Sequence, residues 1–120
     1  MRRKHRDLRA WQAAVELVET VYQITAAFPR EEAFGLTSQM RRAAVSVPAN
    51  IAEGAARSTT KELLHFLSIA SGSLSELDTH VEVALKLSLI RDATQVATKI
   101  DEVFALLVGL SNSLKRKLKG

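Results

Sequence analysis

Apolar residues recur along the chain at steps of three and four, the spacing that gathers side chains on one face of an α-helix. Leu8, Trp11, Val15, Val18, Tyr22 and Thr25 form a heptad-like seam. A second stripe, Ala10, Ala14, Leu17, Val21, Ile24 and Phe28, runs beside it and leaves Gln12, Glu16, Glu19 and Gln23 as the polar face. Asp7 is placed to cap this first helix, and Pro29 limits it to about residues 7–27, because the residue before a proline is disfavoured in helical geometry. A helix apolar on two flanks has more to bury than one small bundle hides, which points to oligomerisation. Trp11 and Tyr22 read as core anchors rather than base-stacking groups, and Phe28 and Phe34 as plugs for one end of the core.

Three more helices follow. Leu36, Met40, Ala43, Val47 and Ile51 make one stripe over about residues 36–56. Thr59 with Glu62 forms a capping box that opens a helix over about 59–89, its seam running from Leu63 and Leu67 through Ala70, Leu74, Leu77 and Val81 to Ala84. Asp92 with Gln95 opens a fourth over about 92–118, carrying Val96, Ile100, Val103, Leu107, Leu110 and Leu114. The connections are short, which predicts antiparallel neighbours and, for residues 1–120 as a single domain, an all-α, antiparallel up-and-down four-helix bundle that is oligomeric.

The stretch RRAAVSVPANIAEGAARS, residues 41–58, places Pro48 inside the second helix, where a proline removes one backbone hydrogen bond at a cost of roughly 3 kcal/mol. The carbonyl of Ala44 is freed, for Ser46, Asn50 or a neighbouring helix to satisfy. Arg42, Ser46, Asn50, Glu53 and Arg57 step by four, four, three and four, and so form a polar stripe on one face. One reading makes it structural, with Arg42 and Glu53 as an ion pair and Asn50 bonded to backbone; the other makes it an interface. Beside it lie Ala43, Ala44, Ala49, Ala52, Ala55 and Ala56, and the third helix answers with ASGSLS at 70–75. Small facing small predicts that these two helices are the tightest pair.

Composition narrows the function classes. The chain has 120 residues, 47% of them apolar, and no cysteine, which excludes disulfide and thiolate chemistry. No apolar run approaches the roughly 20 residues that span a bilayer, and the basic start is followed by an amphipathic segment rather than a signal sequence, so a cytoplasmic location with no membrane partner is expected. The net charge of +4 is concentrated at the ends. Arg2, Arg3, Lys4 and Arg6 open the chain and Lys115, Arg116, Lys117 and Lys119 close it, leaving nine Lys and Arg against thirteen Asp and Glu between them, a net of −4. Such ends suit nucleic acid or an anionic surface, or serve only to solubilise.

The segments WQAAVELVETVY, FPREEAFGLTSQMRRAAVSVPANIAEG and FLSIASGSLSELDTHV resemble the bacterial four-helix-bundle family named after reading frames in intervening sequences of 23S ribosomal RNA genes. The similarity runs from about Leu8 to Leu110, and its most specific block holds Arg42, Ser46, Pro48, Asn50, Glu53 and Gly54 in the family's order. The resemblance implies a homo-oligomeric bundle, a pentameric ring, with no established enzymatic activity. A related branch, the accessory protein of diversity-generating retroelements, works beside a reverse transcriptase and contacts nucleic acid through basic surface, which makes RNA, DNA or such a protein the partners to consider. That accessory protein is strongly basic, whereas the body of this chain is slightly acidic.

Catalytic constellations are lacking. Glu62 and His65 make one Glu-x-x-His, but a di-iron bundle site needs two such pairs plus two further glutamates, so neither a metal site nor another cofactor is expected. Ser68, Ser71, Ser73 and Ser75 have no triad partners in Asp78 or His80, and no phosphate-binding glycine loop is present. Two non-enzymatic readings remain: a nucleic-acid-binding oligomer that grips phosphate through its basic termini, and an assembly or adaptor module that uses the Arg42–Glu53 stripe and the apolar first helix. In an up-and-down bundle both termini fall at one end, which favours the first.

Overall fold

A computed structural model describes residues 3–120, so Arg2 of the expected basic cluster lies outside the described residues. Four helices account for most of the chain: α1 (Arg9–Thr25), α2 (Leu36–Ala55), α3 (Thr60–Lys86) and α4 (Thr94–Lys119). Short 3-10 turns at Lys4–Asp7 and Arg30–Glu32 precede α1 and α2, and no strand occurs among the described residues.

The helix ends follow local chemistry, not always as the sequence suggested. Asp7 does not cap α1. It belongs to the 3-10 turn, and Leu8 holds the extended cap position with no side-chain bond to the helix. Thr59 does cap α3: its hydroxyl accepts from the Glu62 N–H at 3.1 Å and donates to Glu62 Oε1 at 2.9 Å. At α4 the Asp92–Gln95 box is replaced by a shorter turn, in which Asp92 Oδ1 accepts from the Thr94 hydroxyl at 2.6 Å and the Thr94 N–H at 2.9 Å. These two bonds, the hydroxyl first, hold the Asp92 carboxyl below its ordinary range. α3 closes with Ser88 in the left-handed region, φ 61°, and the Leu89 N–H reaching back to the Ala84 carbonyl at 2.8 Å. That six-to-one bond satisfies a terminal carbonyl, a task more often given to a glycine.

Packing selects one of the two stripes on α1. Ala10, Ala14, Leu17 and Val21 are buried, together with Phe28 beyond the helix end. The neighbouring seam is split: Leu8, Trp11 and Val18 are half-buried against the core, Thr25 is buried, Val15 is exposed, and Tyr22 is 43% exposed. Tyr22 is therefore not a core anchor. Phe34 is not an end plug either, being 99% exposed. The core is filled by Leu17, Met40, Val47, Ile51, Leu67, Leu74, Leu77, Ile100, Val103 and Leu107, each contributing roughly 1.5–3 kcal/mol by leaving water.

Contacts run from α1 to α2, α2 to α3, α3 to α4 and α4 to α1, and the contact between α2 and α3 is the most extensive. Ser46 meets Ser73, and Gly54 faces Leu63 and Phe66, so rising numbers on α2 face falling numbers on α3. A Cβ built on Gly54 would stand 2.8 Å from that of Phe66, closer than real Cβ atoms come. Arg41 reaches Thr25 and Tyr22 across α1–α2, and Lys99 reaches Glu16 across α1–α4. The molecule measures 50 × 26 × 19 Å. The first 3-10 turn borders the last turn of α2, a short connection leads from there to the start of α3, and Lys115 of α4 lines a cleft with Leu64, Leu67 and Ser68 of α3, so these parts share one end. The other carries the connections at residues 26–35 and 87–93.

Candidate functional site

The end that gathers the termini also gathers positive charge. Arg3, Lys4 and Arg6 sit on or beside the first 3-10 turn, which packs against α1 and α2 and borders a cavity of about 560 Å³ with Ala52, Glu53, Ala55 and Ala56. Gln12 ties this turn down by donating to the Arg6 carbonyl at 2.8 Å. Lys115, Arg116, Lys117 and Lys119 occupy the last turns of α4, all exposed, where cations also suit the negative end of the helix dipole. Arg9 at the start of α1, Arg57 after α2 and Lys61 in the first turn of α3 add to the same end, and none of these three was singled out from the sequence as part of a basic cluster.

Each aromatic ring at this end meets a cation or another ring. The Arg6 guanidinium lies 5.5 Å from the centre of the Trp11 ring, with the His5 ring at 4.9 Å. Arg57 lies 4.9 Å over Phe66 and pairs with Glu53 at 3.1 Å. Between α3 and α4 a cleft of about 410 Å³ opens beside Lys115, with Ser68 and Ser71 on one wall, Ser111 and Asn112 on the other, and Leu64, Leu67, Leu107 and Val108 among them.

The polar stripe of α2 divides into parts. Ser46 Oγ and Ser73 Oγ share a hydrogen bond of 2.9 Å across α2–α3, and the Asn50 amide donates to the Ser46 carbonyl at 2.8 Å and to its hydroxyl at 2.9 Å. Asn50 therefore serves Ser46 and not the Ala44 carbonyl freed by Pro48. The expected Arg42–Glu53 ion pair does not form, since Glu53 is taken by Arg57 one turn on. Arg42 instead borders a 440 Å³ polar cleft with Gln39, Ser46, Ser73 and Glu76. Glu76 Oε2 lies 3.6 Å from Nε2 of His80, whose buried Nδ1 has no hydrogen-bond partner.

Glu62 is engaged by Thr59, and among the described residues no group of three or more His, Cys, Asp or Glu side chains is placed to hold a metal ion. Among the described residues no helix is long and apolar enough to cross a membrane.

The family model of the 23S rRNA-intervening sequence protein matches residues 6–109. The chain belongs to this family. The matched span contains the whole α2–α3 contact, including Ser46, Asn50, Gly54 and Ser73, so part of the block that carried the resemblance sets the closest helix pair. Arg3, Lys4 and the four cations at the end of α4 fall outside the span, whereas Arg6, Arg9, Arg57 and Lys61 fall inside it. The match carries no link to the accessory proteins of retroelements. No curated protein matches the chain.

Proposed function

We propose that this chain is a non-enzymatic, antiparallel up-and-down four-helix bundle that assembles with copies of itself in the cytoplasm, as a pentameric ring, and binds RNA or DNA through its basic end. The observation that carries the reading is the gathering of Arg3, Lys4 and Arg6 with Lys115, Arg116, Lys117 and Lys119 at one end of a molecule whose body is acidic. Repeated by a cyclic axis, such a patch would make one strongly positive rim, and each phosphate it neutralises releases condensed counterions. The half-exposed seam of Trp11, Val15, Val18 and Tyr22 supports self-assembly, because a heptad-spaced apolar strip is what a neighbouring helix covers.

Fluorescence-anisotropy titration against a structured RNA and a DNA duplex, at low and physiological salt, tests the proposal. Binding that weakens steeply with salt and disappears when Arg2, Arg3, Lys4, Arg6, Lys115, Arg116, Lys117 and Lys119 are neutralised is the expected result. No binding at low salt sinks it and leaves the adaptor reading, which the wholly exposed Phe34 and the 560 Å³ groove bordered by Tyr22, Arg41, Arg42 and Val45 favour.

A further inference from the structure

Resting on the nucleic-acid reading above, we propose that the basic end takes the phosphodiester backbone of a duplex and takes it without stacking on bases. Proteins that hold single strands combine a positive groove with aromatic faces on which successive bases lie. Here the cations are present and the open faces are not. Trp11 packs against the core with Arg6 over its ring at 5.5 Å and the His5 ring tilted against it at 4.9 Å. Phe66 is held in the α2–α3 contact under Arg57, at 4.9 Å, and His65 is tipped edge-on against it at 74°. Among the described residues the one ring that is wholly exposed, Phe34, belongs to the opposite end, separated from the terminal cations by the length of α1, roughly 25 Å. A strand gripped by Lys115–Lys119 therefore finds nothing to stack on.

The α3–α4 cleft supplies what a backbone needs. Asn112 and Lys115 are three residues apart on α4 and Ser111 and Lys115 four apart, so an amide, a hydroxyl and an ammonium fall on one face, opposite the Ser68 and Ser71 hydroxyls. Neutral donors beside one cation are suited to phosphate and sugar oxygens, contacts that position a nucleic acid without reading its sequence. The 410 Å³ space has room for a phosphate group, and Arg116 and Lys119 continue along the helix beyond it. A duplex carries one charge per about 1.7 Å of axis against about 3.4 Å for each strand, so a site that gains only from phosphates favours the duplex.

The test is anisotropy of the full chain with a labelled mixed-sequence DNA duplex, the RNA duplex of the same sequence and each separate strand, over a salt series. Duplexes should bind at least about fivefold more tightly than their strands at equal salt, with no change on scrambling the sequence. The ratio between the two duplexes then names the preferred backbone. Lys115→Ala should lower the slope of log affinity against log salt by about one for each protomer engaged, whereas Asn112→Ala should weaken duplex binding and leave the slope unchanged. Single strands that bind as tightly as duplexes, or affinity that follows sequence, overturn the duplex proposal and leave the nucleic-acid reading standing. Absence of binding to every strand and duplex overturns both.

Discussion

The α2–α3 and α1–α4 contacts each join a shorter helix to a longer one, 20 residues to 27 and 17 to 26, yet they are held differently. On α2, Gly54 lies so near α3 that a single added carbon would meet the Phe66 Cβ at 2.8 Å, and the two serines 46 and 73 touch across the seam. On α4, Gly109 borders the groove with Leu8 and Ala10 of α1, but a Cβ there would meet nothing within 4 Å. What crosses α1–α4 at the surface is a lysine, Lys99, between Glu16 and Glu102 at 2.6 and 2.9 Å. Gly72 makes the same point on α3: it belongs to the small-residue patch that suggested a close approach, and it faces open space. A small residue permits contact, and the register of the opposite helix decides whether contact occurs.

The strongest way to break the comparison is to add one carbon at each glycine. Alanine is favoured over glycine in a helix by about 1 kcal/mol, so a site with room gains from the change. Gly54→Ala should instead destabilise by about 1–3 kcal/mol, because Phe66 Cβ and Leu63 Cδ1 at 3.0 Å leave none, and Gly54→Val should cost more. Urea denaturation measures both. A Gly54→Ala protein more stable than the parent would show that α3 moves aside and that the contact is not close in solution.

Next in size is the hydroxyl pair. Ser46→Ala removes the partner of Ser73 and one of two bonds to Asn50, and should cost about 1–2 kcal/mol. In a cycle with Ser73→Ala the double variant should lose clearly less than the two single losses added, since both remove one bond. Additive losses would mean that each serine acts through other contacts. Smaller again, and opposite in sign to Gly54, Gly72→Ala and Gly109→Ala should each stabilise by up to about 1 kcal/mol.

The helical periods, the Thr59 cap, the α2–α3 partnership and the family block could all be read along the chain, because each rests on spacing within one helix or on residue size. The choice between the two stripes of α1 could not, since Leu17 and Trp11 stand on adjacent faces and only the position of α2 and α4 decides which is buried. The Glu53 partner was within reach of arithmetic. Arg42 is eleven residues from Glu53, about 16 Å along a helix, whereas Arg57 is one turn away. At the candidate site the terminal cations were evident from charge alone. The ring covers were not: Arg6 over Trp11 and Arg57 over Phe66 each bring separate elements together, and so depend on how those elements pack. The α3–α4 cleft left only a faint trace, because Ser68, Ser71, Ser111 and Asn112 stand among many other polar residues of two amphipathic helices.

The smallest expected effect belongs to Lys99, and its pH dependence sharpens the contrast with the uncharged seam. The Glu16 carboxylate, and after it Glu102, raise the Lys99 pKa, while burial opposes them. A group whose folded pKa is raised contributes stability that is fully present below the unfolded value and is lost as pH climbs through the folded value. The pair with Glu16 is partly exposed, with the Lys99 side chain at 25% and that of Glu16 at 62%, so Lys99→Ala should cost only about 0.2–1 kcal/mol at neutral pH and low salt. That difference should shrink in high salt and close above pH ~10.4 as the lysine loses its proton. Ser46→Ala, measured beside it, should show no change with salt. A Lys99→Ala deficit that survives both high salt and high pH would mean that the lysine acts through its methylene stem packed between α1 and α4, and the two contacts would then differ in closeness but not in kind.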